Sequence, residues 1–264
     1  MLTFAFVELL KVRVNGTLKD MHILVSLPVI DEEKNLEKLI PLLLAYEELT
    51  LNIIDDNSLD HTFQLVSKLQ LIYGANRIRY TRNLEKVGFS QAHFSSFTLF
   101  KSEREFSHLL QIDGDLSHQV SDLYKLLHAG GSGADLVIGS RYVHGGRTIN
   151  WPYKRLLISK SANYFVRLIL RTGIRDNTSG YRLLSRNLVE VIVNRGSESN
   201  GYIFQVINVV LARDSGLILR EVPITFVERL SGHSKMSLKH VTEGFLKVIK
   251  LRIISNFSNL NNNK

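Results

Sequence analysis

The stretch Leu109-Leu110-Gln111-Ile112-Asp113-Gly114-Asp115 decides how the rest of the chain is read. A short apolar run that stops at a turn signal reads as a buried strand. Here the stop is two carboxylates separated by one glycine. Upstream the same alternation repeats. Residues 22–27, 51–54 and 77–80 have strand character, and residues 31–48, 60–71 and 91–101 have helical periodicity. Downstream, 121–127 reads as a helix and 134–138 as a strand. Short apolar runs alternating with helices give βαβ units. The expected fold is therefore α/β, with a mostly parallel central sheet flanked by helices and right-handed crossovers.

Past residue 139 the regularity weakens. A loop rich in Gly, Arg and His (139–150) precedes a helix at 154–170, and a polar turn follows at 172–181. Helices are expected at 185–194 and 203–213, a late strand at 217–222, and a basic stretch at 229–239. The segment 241–257 has apolar residues at helical spacing with Lys247, Lys250 and Arg252 between them, which suits a helix lying in a membrane interface or one packed on the body. The simplest division is an N-terminal extension (1–20), one catalytic-size domain (21–239), and an amphipathic helix with a disordered Asn-rich tail (240–264).

The chain has 264 residues, enough for a core without staples. With no Cys, disulfides, thiolate metal sites and Cys nucleophiles are excluded. The 33 Lys+Arg exceed the 25 Asp+Glu by eight, so an anionic partner is expected: nucleic acid, a phosphorylated ligand or a membrane surface. No run is long and apolar enough to span a bilayer, and the start lacks the pattern of a secretory signal.

In open α/β sheets ligands bind outside the carboxyl ends of the strands. There the chain places Asp31-Glu32-Glu33, Asp55-Asp56-Asn57-Ser58 and Asp113-Gly114-Asp115. Neighbouring carboxylates repel unless a cation or donors neutralise them. Asp113 and Asp115 are the clearest metal candidates, with the oxygen donors that Mg²⁺ or Mn²⁺ prefer. A basic group follows in Arg141, Arg147, Lys154, Arg155, Arg182, Arg229 and Lys235. These cations stand among Gly and Ser in short loops, not on a dense basic helix or an aromatic sheet face, which favours phosphate groups over nucleic acid.

The order of motifs resembles a known family. Pro28, Glu33 and Asn35-Leu36, then Asp55-Asp56-Asn57-Ser58 with Asp60 and Thr62, then Lys86 and Gly88, then Asp113-Gly114-Asp115-Leu116-Ser117-His118 look like the inverting glycosyltransferases of family 2. The continuation is similar to the dolichol-phosphate (polyprenol-phosphate) mannose synthases: Gly139-Ser140-Arg141-Tyr142, Gly145-Gly146, Ser159, Ala162-Asn163, Asp176, Thr178-Ser179-Gly180-Tyr181-Arg182, Gly201-Tyr202, Phe204-Gln205, Glu221-Val222-Pro223-Ile224, Phe226, Arg229, Gly232 and Ser234-Lys235.

That resemblance implies a GT-A fold and transfer of mannose from GDP-mannose to a polyprenyl phosphate, with inversion. It implies that Pro28, Glu33, Asp55, Asp56, Asn57, Lys86, Asp113 and Gly114 line the donor nucleotide. Asp113 and Asp115 would hold Mg²⁺ or Mn²⁺, and Arg141, Arg155, Ser159 and Arg182 would meet the lipid phosphate. Asp115, Arg141, Arg229 and Lys235 would carry catalysis, the last two over the diphosphate. The expected location is cytoplasmic, on the cytoplasmic face of a membrane, held peripherally or through a small membrane partner subunit.

The chain departs from the family pattern at Ser90, in place of a second glycine, at His93, in place of an aromatic, and at Ile207, in place of a carboxylate. Two readings stand beside the main one. A related family 2 transferase would use another donor, such as UDP-glucose, or a glycan hydroxyl with Asp176 as base. A scaffold of the same fold would have no need to keep Asp113, Asp115, Arg229 and Lys235.

Overall fold

The computed structural model describes residues 21–196, 203–228 and 246–253. Arg229, Lys235, residues 1–20 and most of 240–264 lie outside them.

Nine strands and seven helices follow one another along the described chain, in the order β1 (Ile23–Val29), α1 (Glu33–Leu44), β2 (Leu49–Asp55), α2 (Thr62–Tyr73), β3 (Ile78–Arg82), α3 (Phe89–Ser102), β4 (His108–Gln111), α4 (Leu123–Gly131), β5 (Leu136–Ser140), β6 (Arg147–Ile149), α5 (Tyr153–Leu170), β7 (Arg182–Ser185), α6 (Arg186–Arg195), α7 (Ile203–Asp214), β8 (Leu219–Pro223) and β9 (Thr225–Val227). Residues 246–253 form a further helical segment. A seven-stranded sheet has the order β3-β2-β1-β4-β7-β5-β8, and β6 pairs with β9 in a small second sheet.

The expectation of a mostly parallel sheet holds, with one inserted exception. β7 runs antiparallel to both β4 and β5, and every other pair is parallel. Sequence reading placed no strand there, because β7 is only four residues long and opens on an arginine. The strands β6 and β9, three residues each, also went unread.

The two faces of the sheet are unlike. Ile23, Val25, Leu27 and Val29 of β1 point to one face, with Leu36, Leu39, Ile40 and Leu43 of α1, Val66 of α2 and Leu126 and Leu127 of α4. Leu24 of β1 points to the other, with Phe97 and Phe100 of α3, Leu188 and Ile192 of α6, and Phe204 of α7. Each such fully buried aliphatic side chain contributes roughly 2 kcal/mol through burial. The fixed strand ends that result carry the acidic loops.

A third cluster joins Val166 and Leu170 of α5, Ile203, Val206 and Val210 of α7, and Val248. The segment 246–253 therefore packs on the body through Val248. Its Leu246, Ile249 and Ile253 stay exposed.

Candidate active site

The strand order reverses direction between β1 and β4, and their carboxyl ends open the crevice that such sheets use for ligands. Three loops converge there, each held in an unusual backbone state. Asp31, Asn57 and Leu116 follow β1, β2 and β4 respectively, and all three have positive φ (56°, 67° and 61°). Non-glycine residues persist in this region only where surrounding bonds over-determine them.

Those bonds are present. Asp31 Oδ1 accepts the Leu59 N–H at 2.7 Å, and the Asp31 N–H donates to Ser58 Oγ at 2.9 Å. Asp60 accepts from the backbone of Glu33 and Thr62. These bonds, with the Thr62 hydroxyl, outweigh burial and hold the Asp60 carboxyl below its ordinary range.

The paired acids of the second loop have separate duties. Asp55 is fully buried, with its oxygens taken by the Ser58 N–H at 2.7 Å and the Tyr80 hydroxyl. It shapes the turn from inside. Asp56 accepts from the N–H groups of Val87 (2.7 Å) and Gly88 (3.0 Å) and from Asn83 Nδ2 (3.2 Å), and so holds the loop bearing the exposed Lys86. Pro28, Asn57 and Glu33 keep partly exposed positions around this rim. Ser90 needs no glycine freedom, because it lies in the first turn of α3.

Asp113 and Asp115 stand just past β4. Asp113 Oδ2 lies 3.2 Å from Nε2 of the buried His118, and Asp115 Oδ1 accepts the Ser117 N–H at 3.0 Å. Two glycines let this loop sit where it does. A Cβ on Gly114 would come within 3.1 Å of the Val29 side chain, and one on Gly180 would lie 3.3 Å from both Asp113 oxygens.

Among the described residues no group of three or more His, Cys, Asp or Glu gathers as a metal cage. Two carboxylates at one loop fit a different mode, in which Mg²⁺ or Mn²⁺ takes one or two protein oxygens and completes its shell from phosphates and water.

The loop 113–118 is tied to β9. Val227 N–H donates to Ser117 O at 3.0 Å, and the His118 ring meets the Phe226 ring edge-on at 5.1 Å. Phe226 in turn meets Trp151, whose indole carries the guanidinium groups of Arg155 and Arg141 at 4.3 and 5.3 Å.

Arg141 is buried. It grips Asp176 with two 2.7 Å bonds, and Asp176 also accepts the Arg141 N–H. Burial opposes both charges, but each partner wins it back. Arg141 holds the Asp176 carboxyl below its ordinary range, and Asp176 raises the guanidinium above its own. A carboxylate so placed is no general base, which removes Asp176 from that role. The network continues from Arg141 to Thr178 (3.0 Å), from Asn163 to Thr178 (3.0 Å) and to the Ser159 carbonyl (3.0 Å). The Tyr142 hydroxyl completes it, donating to Ser159 Oγ at 2.6 Å.

Arg182, expected at the lipid phosphate, is instead in the interior. It is fully buried and donates at 2.7 Å to the carbonyls of Ser179, Gln205 and Asn177. Burial pulls its guanidinium down to about 9, against the charge of Asp176. Its work is to hold the 177–182 turn against Asp113.

Arg182 ends a polar row across the sheet. Asn52, Ser26, Gln111 and Arg182 are register partners on adjacent strands, facing α3. Ser26 Oγ bonds His93 Nδ1 (2.7 Å) and Ser96 Oγ (2.8 Å). The side-chain amides of Gln111, Gln205 and Asn208, and His93 Nε2, are buried with no partner among the described residues. Ile207 faces away, into the apolar cluster of α5 and α7.

The sequence alone assigned no role to His118, Trp151 or Glu228. Trp151, the chain's single Trp, was a usable signal. His118 was quoted without a role, and Glu228 reaches the site through Arg155, 73 residues away.

The sheet order and the crevice at its strand ends are those of the GT-A architecture. Over 96% of this chain and 83% of the other, the structure is similar to glucosyl-3-phosphoglycerate synthase from Mycobacterium tuberculosis in complex with Mn²⁺, uridine diphosphate and glucosyl-3-phosphoglycerate, with a TM-score of 0.61 at 15% identity, a likeness of fold. Residues 25–193 match the Glycosyl transferase family 2 domain. The chain belongs to that family and is a glycosyltransferase.

Among its relatives, the polyprenol monophosphomannose synthase of Mycolicibacterium smegmatis is 39% identical over 230 residues, covering 85% of this chain and 84% of the relative. The undecaprenyl-phosphate mannosyltransferase of Micrococcus luteus is 38% identical over 175 residues, covering 66% and 71%.

Proposed function

We propose that the protein transfers mannose from GDP-mannose to a polyprenyl phosphate at a membrane surface, inverting the anomeric carbon. The observation that supports this most strongly is the 39% identity, over 85% of the chain, to a relative named for polyprenol monophosphomannose synthesis. Breaking the sugar–diphosphate bond develops negative charge on the leaving group. Asp113 and Asp115 would hold Mg²⁺ or Mn²⁺, whose charge, when bound, neutralises that group. The acceptor phosphate is already ionised near neutral pH, so it needs positioning and charge relief rather than a base. Arg155, a quarter exposed beside Ser159 and Tyr142, suits that task. Arg141, Asp176 and Arg182 act beneath it as a rigid floor. Arg229 and Lys235 stay in the reading through the sequence resemblance alone, and both lie outside the described residues.

Contact with the lipid phase follows from α5, the helix that carries Arg155. Tyr153, Leu157, Tyr164 and Leu168 are 77, 54, 67 and 61% exposed, with Lys154, Lys160 and Arg167 also exposed. Among the described residues no helix is long and apolar enough to cross a membrane; the exposed side of α5 supports a peripheral contact.

The test is an assay of radiolabelled GDP-mannose, UDP-glucose and UDP-GlcNAc with a polyprenyl phosphate and Mg²⁺ or Mn²⁺. A chloroform-soluble product is expected from GDP-mannose, abolished by EDTA and reduced at least a hundredfold in a folded Asp115→Ala variant. Product from a UDP-sugar alone would replace the donor. No product from any donor would overturn the reading in favour of a scaffold.

A further inference from the structure

Two cations share the Trp151 indole, and each meets one carboxylate, yet the two ion pairs differ in kind. The inner pair, Arg141–Asp176, is buried and closed by two 2.7 Å side-chain bonds, the Arg141 backbone N–H and Thr178. Removing its carboxylate would strand a buried charge.

The outer pair is Arg155 Nη1 with Glu228 Oε2, at side-chain exposures of 26 and 23%. Glu228 does not reach in from a loose surface. Its N–H donates to the Ile149 carbonyl at 3.0 Å, and it directly follows β9, which is paired with β6. Arg155 is fixed from the other side by Trp151, 4.3 Å below its Cζ. The carboxylate thus meets a pre-oriented guanidinium at a place that solvent, and so a ligand, can reach.

A guanidinium binds carboxylate and phosphate oxygens through the same planar donor fork. Both side chains keep about a quarter of their surface open, and a phosphate dianion carries more charge than a carboxylate, so it can displace Glu228 from the guanidinium. We propose that Glu228 is the internal occupant of an anion seat on Arg155, which a phosphate monoester on a lipid must displace to bind. Glu228 then sets acceptor affinity and selects for charge. A phosphate dianion outcompetes it, whereas a neutral prenol cannot. This rests on the assignment of Arg155 to the acceptor phosphate. Glu228 is a positioning residue and touches no reacting atom.

The chain's single Trp lies under this seat, so its fluorescence reports the exchange directly. Farnesyl phosphate and farnesol are titrated, without donor, into the wild type and Glu228→Gln, with thermal unfolding as the check on folding. Glu228→Gln is expected to bind farnesyl phosphate roughly two- to fivefold more tightly, because no carboxylate then competes for the Arg155 fork, and farnesol no more tightly. In the background of Arg155→Gln the same change should have no effect.

In turnover, the gain should appear as a lower KM for the acceptor with the donor KM unchanged. Equal or weaker binding of farnesyl phosphate by folded Glu228→Gln overturns the proposal, as does tightening that persists without Arg155. Tightening without lipid-linked product from any sugar nucleotide would support the seat and count against the transferase reading instead.

Discussion

His93 shows how a single side chain records its surroundings. It is fully buried between Ser26, Phe89 and Phe204, and burial lowers its imidazole to about 4, with the Asp113 charge opposing and Arg182 assisting. The folded protein thus keeps His93 neutral, while the unfolded chain protonates it near 6.5. Its contribution is complete above pH 6.5 and is lost as the pH falls from there towards 4, about 3 kcal/mol in all by linkage. Urea midpoints measured between pH 7 and 4.5 should fall more steeply in the wild type than in His93→Gln. Parallel slopes would show that this ring does not titrate as described.

The same scale explains which residue assignments sequence could make. Asp113 and Asp115 could be placed at a strand end, because an apolar strand stops just before them. Asp55 and Arg182 were legible as polar but not as interior, because residue type does not say which way a side chain faces at a strand end. Both turned out to serve the chain's own donors and carbonyls.

At the scale of elements, α5 presents two unlike sides. Asn163, Val166 and Leu170 face the body, and the row Tyr153, Leu157, Tyr164 and Leu168 faces outward at helical spacing. Covering four such side chains by an interface would contribute roughly 2 kcal/mol each, with about 1 kcal/mol from each nearby cation against anionic lipid. Tyr164→Glu with Leu168→Glu should reduce sedimentation with vesicles containing phosphatidylglycerol at least tenfold. Transfer to the short soluble acceptor farnesyl phosphate should be unaffected. Undiminished vesicle binding would place the contact elsewhere.

The periodicity of α5 was readable, but its two-sidedness was not, since an apolar residue reads as core until a neighbour is seen to be missing. The short strands were hidden for the converse reason. Four residues in β7 and three each in β6 and β9 are too few to establish a period, and only their partners, far off in sequence, make them strands.

The whole molecule separates its charges. The chain carries eight more cations than anions, yet the strand ends at its crevice are acidic. The described cations near that crevice divide into a buried floor, Arg141 and Arg182, and an outer rim, with Lys86 and Lys154 exposed and Arg155 partly so. A floor so buried and so fully bonded holds its geometry more firmly than the rim does.

Strand order has a further consequence, for the history of the chain. β3, β2, β1 and β4 are contiguous in the sheet and complete by residue 111, whereas both partners of β5, β7 and β8, are made after it. Local and early contacts close before distant ones. In pulse-labelled hydrogen exchange during refolding, amides of β1, β2 and β4 should be protected before those of β5 and β8. Simultaneous protection would show the sheet forming as one unit. During synthesis the half with Asp31, Asp56 and Asp113 can thus assemble while β5 emerges unpaired. Its five residues, Leu136-Val137-Ile138-Gly139-Ser140, are the segment most exposed to pairing with a neighbouring nascent chain until residue 185 arrives to cover one edge.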